Sequence, residues 1–438
     1  YFMDRKEIRE EVYSDDKGEL LYSFYVPEME CIYDKLSLDF HYRYETGYDD
    51  YARVELGGYN NYPQGEILEK IERNHVYKLF CRFTQKIAKF ELNLTVCPWE
   101  YLPPQAEEVK GEVKMTNCYM VAPGGRVDIP TENVYKIWAQ QAEFGNIPIP
   151  DGDVTAELVW QDEQGVIADE GVTVVNASER ERAYLQVRTA KEGNAVVAMK
   201  VNGEIYWSWH IWCTDYEPNV TEGQKFFNNL VWMDRNLGAM TNEYTIDGGV
   251  KGLFYQWGRK DPFPASEGWT DQEKMLYTLT GTTNLSYKEV DTSENLVEAI
   301  RQPARFLIAI TSPGDWYTNS MSLLNRTLWL PNTKTIFDPC PVGWRVPGNQ
   351  PWTGLLQGGL FYSYGLVHPD AGYFPCTGYR RPQTGRVDSL GNIVEWSAVA
   401  GSTSTNECYG LLLNLNTIRQ DWTTYWRADG RSVRCVKE

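Results

Sequence analysis

Residues 195–212 read AVVAMKVNGEIYWSWHIW, and this stretch decides the fold class. Two apolar runs, 195–201 and 205–212, flank the dipeptide Asn202-Gly203. Asn-Gly between two such runs is a strong β-hairpin signal, and the β-branched and aromatic residues of both runs favour pleated strands. The stretch therefore predicts a hairpin inside a mostly β protein.

More strand-like runs lie before this hairpin. Residues 157–161 (ELVWQ) and 184–188 (YLQVR) are short and rich in β-forming residues. Together with the hairpin they predict an immunoglobulin-like β-sandwich between about residues 110 and 215, since such a sandwich needs about 100 residues.

The first hundred residues predict a separate β domain. Residues 20–26 form a strand-like run that stops at Pro27, and residues 76–80 and 90–96 predict an antiparallel pair. The proline-rich segment 103–105 is typical of a linker. At 438 residues the chain is too long for one ordinary core, so we expect several domains.

Residues from about 220 onward differ in composition from the residues before them. Gly, Trp and Asn are frequent between short strand-like runs. Residues 293–302 have the spacing of a helix, and Ser293 is placed to cap it. Folds this rich in ordered loops present variable loops to ligands.

The chain is acidic, with 60 Asp and Glu against 42 Lys and Arg and a formal net charge of -18. Phosphate backbones and anionic lipids repel such a surface, so we expect neither nucleic acid nor direct membrane insertion. The longest apolar stretches, such as 306–310, are only strand-length. Because the chain starts at Tyr1, we expect a processed or trimmed product that has lost a targeting or lipid-anchor signal.

The sequence carries no recognisable catalytic constellation. The four histidines lack metal-ligand spacing, and P-loop, nucleophile-elbow and dinucleotide-binding motifs are missing. His210 lies in the Trp-rich run and is expected to be a hydrogen-bonded structural residue. Loops 150–153 and 162–165 carry carboxylates without the EF-hand pattern, which favours solvated turns over calcium sites. We therefore predict no catalytic residue, no metal site and no cofactor.

The first hundred residues resemble the closing part of a fimbrillin domain, the pilin module of gut and oral Bacteroidetes. Segments 24–28 (FYVPE), 71–77 (IERNHVY) and 94–99 (LTVCPW) carry the resemblance. The strands that normally precede the first of these segments are missing. We therefore expect either a trimmed chain or a strand supplied by a partner.

Two further regions resemble modules of bacterial surface proteins. Segments 117–125 (NCYMVAPGG) and 205–216 (IYWSWHIWCTDY) are similar to the middle module of large fimbrillin-family proteins. Segments 252–264 (GLFYQWGRKDPFP), 338–347 (DPCPVGWRVP) and 432–437 (SVRCVK) are similar to the paralogous lectin-like domain of Fibrobacter and Bacteroidetes surface proteins.

These resemblances imply three domains. They are a partial fimbrillin-like, transthyretin-like β-sandwich at 1–102, an immunoglobulin-like β-sandwich at 103–218, and a C-type-lectin-like α+β head at 219–438. In lectin-like folds a cysteine of the first half is often bridged to one in the last strand, which implies a disulfide between Cys340 and Cys435. Because the chain has nine cysteines, at least one of the other seven is expected to be unpaired within the monomer.

The implied function is adhesion at the cell surface. The resemblance implies a fimbrial lipoprotein subunit on the outer membrane, placed at the pilus tip, whose partners are other pilus subunits and a host or bacterial glycan or protein. Aromatic residues in the loops of the head are the candidate ligand contacts, because exposed rings stack on sugars or insert into partner surfaces. These candidates are Trp316, Tyr317, Trp352, Tyr379, Trp422 and Trp426.

Two other functions stay open. A structural pilus subunit assembled by strand exchange would account for the missing opening strands. The lectin-like fold is also shared with formylglycine-generating oxidases, so fold alone leaves room for an enzyme, although such enzymes need a reactive cysteine pair. The lectin-like sugar motif at 217–219 lies before the head, so calcium-dependent sugar binding is not predicted.

Overall fold

The computed structural model describes residues 116–140, 144, 147–178, 183–401, 407–414 and 419–438, together with the backbone of six strands between residues 29 and 98. The side chains of residues 140, 407 and 419–423 lie outside this description. The chain divides into two compact units, Tyr1–Gln105 and Ala106–Glu438. The protein is mostly β, with 40% strand and 7% helix in several sheets, which confirms the predicted class.

The first unit contains three antiparallel strand pairs. Its strands are β1 (Met29–Glu30), β2 (Leu36–Arg43), β3 (Asp49–Leu56), β4 (Lys70–Ile71), β5 (His75–Thr84) and β6 (Lys89–Pro98). β1 pairs with β4, β2 with β3, and β5 with β6. The β5–β6 pair confirms the two runs predicted at 76–80 and 90–96, while the run at 20–26 lies outside the described residues.

The second unit begins with seven strands and a helix. They are β7 (Cys118–Val121), β8 (Arg126–Pro130), α1 (Glu132–Gln140), β9 (Val154–Gln161), β10 (Ile167–Val175), β11 (Tyr184–Thr189), β12 (Gly193–Val201) and β13 (Glu204–Cys213). β12 and β13 form the predicted hairpin, and Asn202 and Gly203 turn with φ of 52° and 84°. Positive φ at both positions is the requirement of the tight hairpin turn that Asn-Gly favours.

Most of the remaining strands are short, and β28, β29 and β30 are the long ones among them. They are β14 (Gln224–Phe227), β15 (Leu230–Met233), β16 (Leu253–Gln256), β17 (Phe263–Pro264), β18 (Leu276–Tyr277), β19 (Thr282–Thr283), β20 (Ser286–Glu289), β21 (Arg305–Ile308), β22 (Trp344–Arg345), β23 (Leu360–Tyr362), β24 (Gly365–His368), β25 (Gly372–Pro375), β26 (Tyr379–Arg380), β27 (Val387–Asp388), β28 (Asn392–Ala400), β29 (Glu407–Asn414), β30 (Arg419–Trp426), β31 (Gly430–Ser432) and β32 (Val436–Lys437). Short 3₁₀ turns cover Thr221–Gly223 and Met321–Leu323.

The two α-helices of the described residues are short. The second, α2 (Leu296–Arg301), confirms the helix predicted at 293–302, but the predicted cap is wrong. Asn295 occupies the N-cap position, because the Ser293 hydroxyl donates to Asp291 instead. Helix α1 was not predicted, although Val134 and Trp138 supply its buried face at helical spacing.

Two sheets share a core in the sandwich region. One has the strand order β10-β11-β8, and the other has the order β19-β18-β9-β12-β13-β7. Ile129 and Leu185 from the first sheet join Leu158 and Val197 from the second in one buried cluster. Strands β18 and β19 come from much later in the chain and extend the larger sheet through the pair Tyr277 and Gln161.

Residues beyond 219 also cover the outer face of the larger sheet. The buried Lys260 Nζ donates to the Ser208 carbonyl at 2.9 Å and lies 4.6 Å from the ring centre of Trp207. Asn117 Nδ2 donates to the Ile336 carbonyl at 2.7 Å. With both faces covered, β12 is buried along nearly its whole length, which accounts for its continuous apolar sequence. The boundary predicted at 218/219 therefore lies inside the second compact unit.

A disulfide joins Cys340 to Cys435, 95 residues apart in sequence. The pairing implied by the lectin-like resemblance is confirmed. It links the segment before β22 to the segment before β32, two neighbours in the four-stranded sheet β14-β15-β32-β22. The disulfide thus holds β22 beside β32, the last described strand.

Removal of this disulfide is expected to lower stability strongly. Replacing both Cys340 and Cys435 with alanine frees a loop of nearly a hundred residues in the unfolded chain, which costs up to about 4–5 kcal/mol of unfolding free energy. Urea unfolding of the double variant, beside the native protein with and without reductant, measures this change. Unfolding midpoints that coincide in all three samples would refute the expectation.

Candidate functional site

An open cleft lies where strand β30 meets the β26–β27 hairpin and the start of β31. Its cavity volume is about 290 Å³. The lining residues come from these elements, the turn after β26 and the neighbouring strand β29, and they are Tyr379, Arg381, Pro382, Gln383, Leu412, Thr424, Tyr425, Trp426, Asp429 and Arg431. We call this the aromatic cleft, since three of its lining side chains are aromatic.

Arg431 anchors the wall of the aromatic cleft. Its guanidinium lies 3.5 Å from the ring centre of Tyr425, 4.9 Å from that of Trp396 and 5.4 Å from that of Tyr379. A cation among aromatic faces is favourable and holds the rings in fixed positions. Tyr425 and Tyr379 therefore present a preorganised surface.

Asp429 forms an ion pair with Arg431 in the wall of the aromatic cleft. Its Oδ2 accepts hydrogen bonds from Arg431 Nε at 3.0 Å and Nη2 at 2.8 Å, and both side chains are almost fully buried. Burial raises the pKa of Asp429, and the nearby Arg431 charge opposes the rise. Among the described side chains, Arg431 Nη1 has no hydrogen-bond partner and is itself buried.

Gly314 packs directly against the ring of Trp426. A methyl group built on Gly314 would lie 2.3 Å from the Trp426 ring, and the φ of Gly314 is +71°. Only glycine fits both the space and the backbone conformation. The half-buried Trp426 ring therefore rests directly on a backbone segment.

The structure brings two of the six predicted contact residues together, because Tyr379 and Trp426 both line the aromatic cleft. Trp316, Tyr317 and Trp352 are at most 3% exposed, so their rings offer no face to an external ligand. The indole of Trp316 donates to the Trp257 carbonyl and that of Trp352 to Glu395, so both are anchored within the core.

The last predicted contact, Trp422, has a backbone that pairs with Leu411, and its side chain lies outside the described residues. Sequence reasoning did not select Asp429 and Arg431. The available signal was a charged turn directly after the aromatic run of β30, where residues 426–432 read WRADGRS.

A second, larger opening adjoins the first. Its cavity volume is about 690 Å³, and we call it the polar cleft. The lining residues are mostly hydroxyl-bearing or charged, and they are Thr270, Asp271, Arg381, Thr384, Arg386, Val387, Asp388, Ser389 and Leu390. Arg381 lines both clefts and pairs with the half-exposed Asp388.

A buried trio of Ser208, Lys260 and Asp261 has the residue types of a nucleophile and its base. Ser208 Oγ lies 2.6 Å from Lys260 Nζ and 2.6 Å from Asp261 Oδ1. Burial lowers the pKa of Lys260 to about 8, against the opposing effect of Asp261. All three side chains are at most 2% exposed, so a substrate has no access to them. The trio therefore acts as a structural contact between the large sheet and the segment after β16.

The described cysteines outside the disulfide are buried thiols, namely Cys118, Cys213, Cys376 and Cys408. Burial raises the pKa of Cys376 and of Cys408 to about 12. Thiols with such pKa values stay protonated and are poor nucleophiles at neutral pH. Among the residues that the structure describes, no group of three or more His, Cys, Asp or Glu side chains is placed to hold a metal ion.

His210 is part of a buried polar network, as the sequence predicts. Its Nε2 lies 2.9 Å from Asn194 Oδ1, and Asn194 Nδ2 donates to Asp162 and to the Gly238 carbonyl. The asparagine oxygen therefore faces the histidine, so Nε2 donates and Nδ1, which has no partner among the described residues, carries the lone pair. Asp162, one of the predicted loop carboxylates, is thus a buried hydrogen-bond acceptor.

The stability of the protein is expected to fall in mild acid because of His210. Burial lowers its pKa from 6.5 to about 3, so the folded chain keeps a neutral ring while the unfolded chain takes up a proton. The free energy of unfolding then decreases by about 1.4 kcal/mol per pH unit as pH falls below 6.5, until the folded pKa is reached. Urea unfolding of the native protein and of His210→Gln at neutral and mildly acidic pH measures this slope. An equal slope in both proteins would contradict the expectation.

Comparisons with known proteins give no relative for this chain: no family model matches it, and no curated protein or solved structure matches it significantly. In the described part of the chain, no helix is long and apolar enough to cross a membrane.

Proposed function

We propose that the protein is a cell-surface adhesion protein, a fimbrial subunit whose C-terminal region binds a glycan through the aromatic cleft. The observation that carries the proposal is the meeting of Tyr379, Tyr425 and Trp426 around the buried Arg431–Asp429 pair. Rings bind the apolar faces of sugars, and fixed polar groups bind hydroxyls. A volume of about 290 Å³ is near the lower end of small-ligand sites, which run from about 300 to 1,000 Å³.

The finer fold assignment belongs to the same proposal. We infer a fimbrillin-like β domain, an immunoglobulin-like sandwich and a C-type-lectin-like head, with other pilus subunits as assembly partners at the outer membrane. The pairing of Trp232 in β15 with Val436 in β32 supports a lectin-like head, since it joins the first and last parts of the head, and the Cys340–Cys435 disulfide fixes the end of the chain to the segment before β22.

A binding role is favoured over catalysis. The described free thiols are buried and protonated, whereas an oxidase of the formylglycine-generating kind needs a reactive cysteine pair. The aromatic cleft contains one carboxylate, Asp429, and Arg431 holds it. Assembly by strand exchange stays a prediction of the sequence.

Substitution of a cleft ring tests the proposal. The intact chain is expected to bind a subset of glycans on an array, and Trp426→Ala is expected to weaken that binding by about tenfold or more, since the loss of a central ring costs more than about 1 kcal/mol. Phe226→Ala is the control, because Phe226 is 66% exposed and lies outside both clefts. No binding to any glycan on the array, with binding to a protein partner instead, would mean that the ligand is a protein. Equal binding by both variants would remove the aromatic cleft from the function.

A further inference from the structure

The two clefts lie on either side of one turn. Arg381 lines both, and residues 381–386 connect β26 to β27 between them. The two openings therefore meet at this turn, where Arg381 is their shared lining residue.

This dividing turn is fixed rather than free to close a cleft. Arg381 N donates to the Arg386 carbonyl at 2.9 Å, and Gly385 N donates to the Arg381 carbonyl at 2.7 Å. The fully buried Arg380 donates to the Gly385 carbonyl at 2.6 Å. A methyl group on Gly385 would lie 2.3 Å from the Tyr287 ring, so the tip of the turn is packed tightly.

The clefts differ in chemistry in a way that suits consecutive parts of one ligand. The aromatic cleft offers ring faces, whereas the polar cleft offers the hydroxyls of Thr270, Thr384 and Ser389 beside charged groups. In the polar cleft two carboxylates, Asp271 and Asp388, balance two arginines, so the lining has no net charge. Neutral hydroxyl-rich ligands suit such a lining, and a chain with a net charge of -18 disfavours anionic ones at long range.

We infer that the two clefts form one extended site for a linear neutral oligosaccharide, with one sugar stacked in the aromatic cleft and the following units hydrogen-bonded in the polar cleft. This inference rests on the proposed glycan-binding function and deepens it. A volume of about 690 Å³ exceeds twice that of the aromatic cleft, so the polar cleft has room for more than one further unit.

Titration calorimetry of the intact chain with oligosaccharides of increasing length tests the inference. The probes are neutral gluco-, galacto-, manno- and xylo-oligosaccharides from disaccharide to hexasaccharide. We expect affinity for at least one series to rise by about tenfold or more with length, and Asp271→Ala and Thr384→Ala to remove that gain, so that all lengths bind with similar affinity. Both residues are exposed, so these variants are expected to fold.

Two results would overturn the inference while leaving the aromatic cleft as a glycan site. One is affinity that does not change with length, and the other is a length gain that survives both polar-cleft variants. Glycan-array binding without binding to any neutral series would overturn the neutral, linear class of ligand. No binding to any oligosaccharide series and no binding to the glycan array would instead contradict the proposed glycan-binding function itself.

Discussion

Residues 219–438 expressed alone are expected not to fold, whereas residues 106–438 fold as a unit. The head lacks a complete core without the sandwich region, because β18 and β19 extend the sheet that contains β9, β12 and β13. One buried cluster contains Trp207 and Trp209 from β13 together with Tyr255 and Trp257 from the head.

The expected effect is large because several anchors are lost at once. Removing residues 106–218 exposes Phe337, whose ring packs against Phe144 and Trp207, and leaves Lys260 and Asp261 without Ser208. A single large aromatic deletion costs about 3–5 kcal/mol, and a whole domain has only about 5–15 kcal/mol. Near-ultraviolet circular dichroism and urea unfolding of the two fragments measure the difference. A cooperative unfolding transition for residues 219–438 alone would show that the head is independent.

The second large effect is expected for Arg431→Met. Loss of the guanidinium leaves the Asp429 carboxylate buried without its partner, and breaking a buried pair in this way costs about 3–5 kcal/mol. The rings of Tyr425 and Tyr379 also lose the cation between them, so glycan binding is expected to fall together with stability.

A double variant separates charge from packing in this experiment. Arg431→Met combined with Asp429→Leu removes both charges, so its loss of stability is expected to be smaller than that of Arg431→Met alone. Urea unfolding of the native protein, both single variants and the double variant completes the cycle. Additive effects of the two substitutions would mean that the pair does not stabilise the wall of the aromatic cleft.

The local pattern of the sequence predicts the local structure well. Asn202-Gly203 specifies the β12–β13 hairpin, and the spacing of residues 293–302 specifies α2, since both depend on neighbouring residues. The disulfide was predicted by resemblance alone, because nothing in cysteine spacing specifies a pairing 95 residues apart.

The long-range features of the fold could not be predicted from the sequence. The pairing of Tyr277 with Gln161 joins strands more than a hundred residues apart, and no periodicity reports it. Trp316 and Trp352 lie in irregular segments that look like surface loops, yet each indole donates to a buried acceptor. Irregular backbone with its own buried rings is how this region builds its core, so loop context did not indicate exposure.

The candidate site was only partly predictable for the same reason. Tyr379 and Trp426 were predicted as separate contacts. Tyr379 lies in the same cleft as Trp426 only because β26 pairs with β31. The Arg431–Asp429 pair spans two residues in sequence, but its role depends on Tyr379, more than fifty residues away.

Glycan binding by Tyr379→Ala, compared with Tyr362→Ala on the intact chain, tests the central claim most directly. Both variants remove one tyrosine ring, but Tyr379 lines the aromatic cleft, and Tyr362 is 58% exposed on β23 outside either cleft. The account predicts that Tyr379→Ala loses about tenfold or more in affinity for the glycans bound best on the array, while Tyr362→Ala binds as the native protein does. Native affinity in Tyr379→Ala, measured on a folded sample, would contradict the account.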